Sequence, residues 1–126
     1  TLKKYDFAIR GNFMIGFRDE TWDSVLRTKE YAKNLLSEGL DSVGFMIPVP
    51  YPGSLDFLTV MKDAETKKQF DADPLRFTDM MHWRGNPLFP TVIPGEKLTN
   101  AVQDFWSELN NETFKERKLQ NNIGLK

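Results

Sequence analysis

The sequence predicts an α+β fold with the element order βαββαβ and one further helix at the C-terminus. Two observations lead to this prediction. Apolar residues alternate with polar ones in stretches typical of strands, and between and after these stretches they recur at helical spacing. With 126 residues, the chain is long enough to bury one core but too short for two. We therefore expect a single domain over residues 1–126.

The first predicted strand runs from Tyr5 to Phe17. Its odd positions are aromatic, aliphatic or glycine, whereas the even positions include Asp6 and Arg10, so the two faces differ as they do in a half-buried strand. A hairpin turn at Gly11 would mix charged and aromatic residues on both faces. We therefore expect one long strand that is bent or bulged at Gly11.

A helix and a second strand follow. Acidic and capping residues precede a helical apolar stripe over residues 21–38, and Gly39 supplies the expected end of that helix. The second strand is predicted from alternating apolar positions, which are Val43, Phe45, Ile47 and Val49.

The stretch from Leu55 to Met61 fits two structures. Its odd positions suit a strand, whereas Leu55, Leu58 and Met61 lie at helical spacing. The β-rich composition and the preceding Pro/Gly turn favour a strand. This strand would be the third of the sheet.

The second half of the chain is predicted to be mainly helical. A polar helical segment over 63–68 precedes a helix that begins at Asp73, and Asn100 is the expected cap of the last helix. Phe89–Ile93 is a candidate edge strand, and 115–126 reads as a frayed polar tail. This order matches the ferredoxin-like plan, in which one face of the sheet is left for a partner or a second copy.

The composition excludes several chemistries. The chain has no Cys and a single histidine, His82, so one chain offers neither a thiol nor a site with two imidazoles. It also lacks glycine-rich phosphate loops, and 17 Lys and Arg are balanced by 18 Asp and Glu, which leaves no field to attract nucleic acid or an anionic membrane. We expect no metal, no cofactor, no nucleic-acid partner and no membrane partner. The absence of a visible signal peptide favours the cytoplasm.

A small set of residues suits catalysis or ligand binding. His82 titrates near neutral pH, and Asp79 would reach its ring from three residues earlier in a helix. Arg84, Arg10 and Arg18 are candidates for binding a carboxylate, the last two from the even face of strand 1. These residues support a cofactor-free enzyme or small-ligand binder of the dimeric α/β-barrel type. A surface histidine near a helix end is the other interpretation of His82.

Two proline-rich segments, residues 48–53 and 87–95, indicate protein interaction. Stiff extended segments that carry aromatic residues lose little conformational entropy on docking. The candidate partner-binding residues are Tyr51, Pro50, Leu88, Phe89 and Trp83. The leading hypothesis is therefore a non-catalytic accessory, inhibitory or assembly subunit that binds a protein partner, or forms a homodimer, through these segments and an aromatic face of the sheet. The same segments would also serve as internal cover of a sheet edge.

Overall fold

The computed structural model of the protein describes residues 5, 7–74 and 91–111. The described part is mixed α+β, as the sequence predicts. Its two strands and four helices are β1 (Arg10–Met14), α1 (Trp22–Glu38), β2 (Ser42–Met46), α2 (Leu55–Val60), α3 (Ala64–Ala72) and α4 (Gly95–Asn111). None of these described helices has the length and apolarity needed to cross a membrane.

The two strands form a parallel sheet in which they are direct neighbours. Arg10 lies opposite Ser42 and Met14 lies opposite Met46, and α1 makes the crossover between the strands. The ferredoxin-like plan is instead a split βαβ arrangement, in which another strand separates these two. That topology is not confirmed, because the described ranges hold only β1 and β2.

Strand β1 is shorter than predicted and has no bulge. Instead of running from Tyr5 to Phe17, it ends at Met14, and its register with β2 is continuous through Gly11. Beyond the strand, Gly16 adopts a φ of 93°, a left-handed conformation that favours glycine. The Glu20 carboxylate accepts hydrogen bonds from the amides of Gly16 (2.6 Å) and Phe17 (3.3 Å). A side chain therefore replaces the neighbouring strand as the partner of these amides.

Helix α1 confirms its sequence prediction. Thr21 is the N-cap and its hydroxyl accepts a hydrogen bond from the amide of Ser24. Gly39 ends the helix at a φ of 127°, and its amide donates back to the last turn. Because both signals are local, the bounds of the helix are predictable from the sequence without knowledge of its tertiary contacts.

The strand predicted over Leu55–Met61 is wrong, because this stretch begins with helix α2. Ser54 caps the helix by accepting a hydrogen bond from the amide of Phe57 at 3.1 Å. The buried residue of this helix is Val60, whereas Leu55 is 79% exposed. The odd-numbered alternation therefore did not mark a buried face, and the N-cap decided the local structure.

Several boundaries after α2 also differ from the predictions. Helix α4 begins at Gly95, so Asn100 lies inside it and is not its cap. The predicted edge strand Phe89–Ile93 is wrong for residues 91–93, which are not a strand, and its first two residues lie outside the described residues. The helix predicted after Asp73 and the tail 115–126 lie outside the described residues.

The core lies between one face of the sheet and helices α1 and α4. Phe45 is its aromatic centre: its ring stacks on Phe13 with centroids 5.5 Å apart and meets Phe105 edge-on at 5.4 Å. Around these rings lie buried aliphatic residues, among them Ile15, Val25, Ala32, Leu36, Val43, Leu98 and Ala101. Other aromatic residues expected on the sheet face are exposed, because they fall outside β1: Tyr5, Phe7 and Phe17.

Helix α4 is attached to the outer edge of β2 through Asn110. Its Oδ1 accepts a hydrogen bond from the Val43 amide and its Nδ2 donates to the Val43 carbonyl, both at 3.0 Å. The same nitrogen donates to the carbonyl of Trp106 at 2.8 Å. The side-chain amide therefore pairs with β2 as a neighbouring strand would, and it places α4 beside the sheet.

Candidate ligand-binding site

The sheet has one covered face and one accessible face. Successive residues of a strand point to opposite faces, so the residues between those of the core project away from it. We call this second surface the open face; its residues are Arg10, Asn12, Met14, Ser42, Gly44 and Met46. Met14 is 52% exposed and Met46 is 36% exposed. Two adjacent methionines at this exposure leave an apolar surface accessible beside polar groups.

A cavity of about 430 Å³ lies where the open face meets α4. Its lining comes from both strands and from one helix, and consists of Arg10, Gly44, Phe45, Met46, Val102 and Trp106. The volume lies within the range of small-molecule sites. Because Trp106 is 53% exposed, its ring is an aromatic surface that is available to a ligand.

The Arg10 guanidinium lies directly over the Cα of Gly44. A Cβ added at Gly44 would lie 2.7 Å from Arg10 Nη2 and 3.1 Å from Asn12 Oδ1. Within residues 5, 7–74 and 91–111, the guanidinium has neither an ion pair nor a hydrogen bond, and no acidic side chain lines the cavity. The described part of the lining therefore carries one positive charge and no counter-charge.

Two other hollows combine cations with carboxylates. The first, about 430 Å³, follows the carboxyl end of β1 and is lined by Phe17, Arg18, Asp19, Glu20, Ser24 and Asp56. In the second, about 390 Å³, Lys97 lies 3.8 Å from the ring centroid of Trp22 beside Glu96 and Asp104. Both are therefore less suited to an anion than the cavity beside Arg10. Among the described side chains, no three His, Asp or Glu residues are grouped as metal ligands.

The two arginines predicted to share a strand face are separated by the structure. Arg10 lies on β1 and lines the cavity, whereas Arg18 lies in the turn after the strand, in the acidic hollow. The separation follows from the early end of β1 at Met14. Of these two arginines, only Arg10 lies on the open face.

The other predicted site residues divide into two groups. Pro50 is buried and Tyr51 is 54% exposed, so within this pair Tyr51 is the residue accessible to a partner. The remaining candidates lie outside the described residues: Asp79, His82, Trp83, Arg84, Leu88 and Phe89.

Two residues of the cavity were not identified as site residues from the sequence. Trp106 lies at helical spacing with the apolar residues of the last helix, and this pattern does not distinguish a core residue from an exposed one. Gly44 lies between two of the alternating apolar positions of β2, on the opposite strand face, and a glycine inside a strand often marks a close approach of another group. That signal was present in the sequence, but the identity of the approaching group, Arg10, was not.

The fold and the cavity together define a βαβ unit with a ligand-sized site beside its sheet. No protein-family model matches the chain, and no solved structure matches it. The chain is similar to a curated protein of Pyrococcus horikoshii named as an uncharacterized methyltransferase, with 43% identity over 54 residues. The matched segment covers 43% of this chain and spans 11% of the length of that relative.

Proposed function

We propose that the protein binds, on its open face, a small ligand that carries an anionic group, as the ligand-binding part of an enzyme of the methyltransferase class. The observation that carries this proposal is the cavity of about 430 Å³ in which the Arg10 guanidinium has no acidic partner among the described residues. Arginine is well suited to bind carboxylates and phosphates, because its donors form a planar fork.

The parallel βαβ unit supports an enzyme context. Parallel strands joined by a crossover helix occur almost only in α/β proteins, whose ligands commonly bind beside the sheet. The name of the Pyrococcus relative supplies the reaction class of the proposal. Proton transfer by His82 and Asp79 stays a prediction, since both lie outside the described residues.

The described residues suggest how the cavity would hold a ligand. Arg10 would bind the anionic group, and the Trp106 ring would pack against an apolar or flat part of the molecule. Met46 and Val102 line the same cavity and would exclude water from that part. Such fixed placement is the contribution that a binding unit makes to a group-transfer reaction, because it aligns donor and acceptor before the reaction.

The experiment is an NMR titration of the whole chain with S-adenosylmethionine and S-adenosylhomocysteine as probes of the methyltransferase class. We expect shifts of the Gly44 and Met46 amides and of the Trp106 indole N–H. Trp106→Ala should weaken binding roughly tenfold, in line with the loss of an aromatic contact. Tyr51→Ala, an exposed aromatic outside the cavity, is the control and should bind like the parent. Shifts confined to other surfaces, or none, would contradict the proposal.

A protein-interaction function is the second candidate, because large aromatic side chains are exposed. Tyr5 is 73% exposed, Phe7 58% and Tyr51 54%. Exposed aromatic residues are the side chains that most often anchor interfaces. This observation supports an accessory or assembly subunit that forms a homodimer or a hetero-complex.

Sedimentation equilibrium across a range of concentrations tests the homodimer. We expect self-association that Tyr51→Ala weakens by about 2 kcal/mol, the usual cost of removing an interface anchor. Leu55→Ala, at an exposed aliphatic side chain on α2, is the control. A monomer at all concentrations would contradict the homodimer.

A further inference from the structure

We infer that the ligand of the open face carries a carboxylate and that Gly44 is the residue that positions Arg10 to bind it. This inference rests on the ligand-binding function proposed above. It goes further in two ways. It specifies the chemical group that the site recognises, and it makes Gly44 a residue that determines specificity although it has no side chain.

The charge of the cavity selects a singly charged anion. Among the described residues, Arg10 is the one charged member of the lining, whereas the lining of each of the other two hollows includes at least two carboxylates. The described part of the lining holds no second cation, which would help to neutralise a phosphate dianion. One planar guanidinium matches one carboxylate in geometry and in charge.

The position of the guanidinium depends on the absence of a side chain at residue 44. Arg10 Nη2 and Nε would lie 2.7 Å and 3.4 Å from a Cβ built on Gly44. The first distance is shorter than a van der Waals contact, so a methyl group there must displace the guanidinium. Gly44 is not among the described glycines with positive φ, so alanine can adopt its backbone conformation. Gly44→Ala should therefore move Arg10 while the strand stays intact.

The side-chain amide of Asn12 extends the polar part of this site. Its Oδ1 lies near the same point over Gly44, at 3.1 Å from the added Cβ. Trp106 lines the same cavity and contributes its aromatic surface. A ligand that fits both features has a carboxylate at the Arg10 end and an apolar body towards Trp106.

Indole-3-acetate and indole-3-acetamide are a matched pair of probes for this arrangement, because they have nearly the same shape and differ in charge. We expect the acetate to bind about tenfold more tightly in NMR titrations that follow the Gly44 amide, as for a charge-assisted hydrogen bond. Arg10→Gln should abolish the preference, and Arg10→Lys should retain part of it. Arg27→Gln removes an exposed arginine on α1 and should leave the preference unchanged.

Gly44→Ala tests the positioning role. The acetate should lose about fivefold or more in affinity, while the acetamide should bind as before. The ratio of the two affinities should therefore change, although the site still binds the uncharged probe. Gly11→Ala is the matched control, since residue 11 belongs to the covered face of the sheet and its Cβ would lie 2.7 Å from Leu40 Cδ1. It should lower the thermal stability without changing the ratio.

The outcomes separate the two proposals. Equal binding of acetate and acetamide to the parent protein would show that the site does not select an anionic group, and it would overturn both proposals. Tighter binding of inorganic phosphate than of the acetate would overturn only the carboxylate inference and leave the recognition of an anionic group standing. If neither indole probe shifts the amides of the open face, both proposals fail. If Gly44→Ala keeps the parent ratio of acetate to acetamide affinity, Gly44 does not position Arg10.

Discussion

The two faces of the sheet differ sharply although the same two strands build them. On the covered face Val43 is fully buried and Phe45 is 3% exposed, whereas Met14 and Met46 on the open face are 52% and 36% exposed. The difference comes from the helices, because α1 and α4 direct their apolar stripes to one face. One short βαβ unit can therefore hold a packed core on one side and a ligand-accessible surface on the other.

The largest expected effect is on the covered face. Phe45→Ala should lower the free energy of unfolding by about 3 to 5 kcal/mol, because it removes the ring that joins Phe13 to Phe105. Urea unfolding followed by circular dichroism measures this change. Met46→Ala, the next residue and on the open face, is the control and should cost far less. Equal losses for the two variants would remove the distinction between the faces.

The second effect concerns the edge that joins the sheet to α4. Asn110→Ala would leave the amide and carbonyl of Val43 without their side-chain partner, which should cost about 2 to 4 kcal/mol. Hydrogen exchange of the Val43 amide should accelerate in parallel. Asn100→Ala, at an exposed position of the same helix, is the matched control. Parent-like protection of Val43 in Asn110→Ala would show that another group closes this edge.

The third effect sharpens the definition of the open face. Met14→Lys should change the free energy of unfolding by less than about 0.5 kcal/mol, because an exposed lysine keeps its charge in water. Thermal unfolding at neutral pH is a sufficient measurement. A loss of several kcal/mol would mean that this face is buried in the folded protein, and the ligand site would then lack access.

The smallest effect lies away from both faces, at the start of α3. Hydrogen bonds from the hydroxyl and then the amide of Thr66 lower the pKa of Asp63 below its ordinary value. Because the folded state has the lower pKa, the capping contribution is present above the ordinary carboxyl pKa and is lost as the pH falls through the folded value.

An NMR pH titration checks this assignment. The Asp63 carboxyl carbon and the Thr66 amide should share one midpoint. Thr66→Val removes the hydroxyl and should raise the Asp63 pKa. An unchanged Asp63 midpoint in that variant would contradict the assignment of the lowered pKa to the Thr66 hydrogen bond. The amides of the sheet are the control and should not respond to this titration in either protein.

Local signals made some elements predictable. The cap at Thr21, the helical apolar stripe and Gly39 define α1 within a few neighbouring residues, and the alternation around Phe45 places β2. In contrast, the alternation over Leu55–Met61 pointed to a strand that the Ser54 cap overruled. A short apolar stretch satisfies both periods, so the sequence pattern alone does not separate helix from strand there.

The candidate site was predictable only in part. Arg10 was identified as an anion-binding candidate because it is a charged residue on the polar side of an alternating strand. Its pairing with Arg18 failed, since the strand ends at Met14 and the chain turns. The role of Trp106 was also missed, because a helical stripe does not show which of its members contacts the core.

The sequence by itself determined that the chain has an apolar core, where its first helix begins and ends, and which strand face is polar. These properties depend on side-chain type and on spacings of two to four residues. Only the tertiary structure decided that β1 and β2 pair directly, that Asn110 closes the edge of β2, and that Arg10 lies over Gly44 beside Trp106. These contacts join residues far apart in the chain, and their geometry depends on how the packed elements are placed relative to one another, which local spacing does not specify.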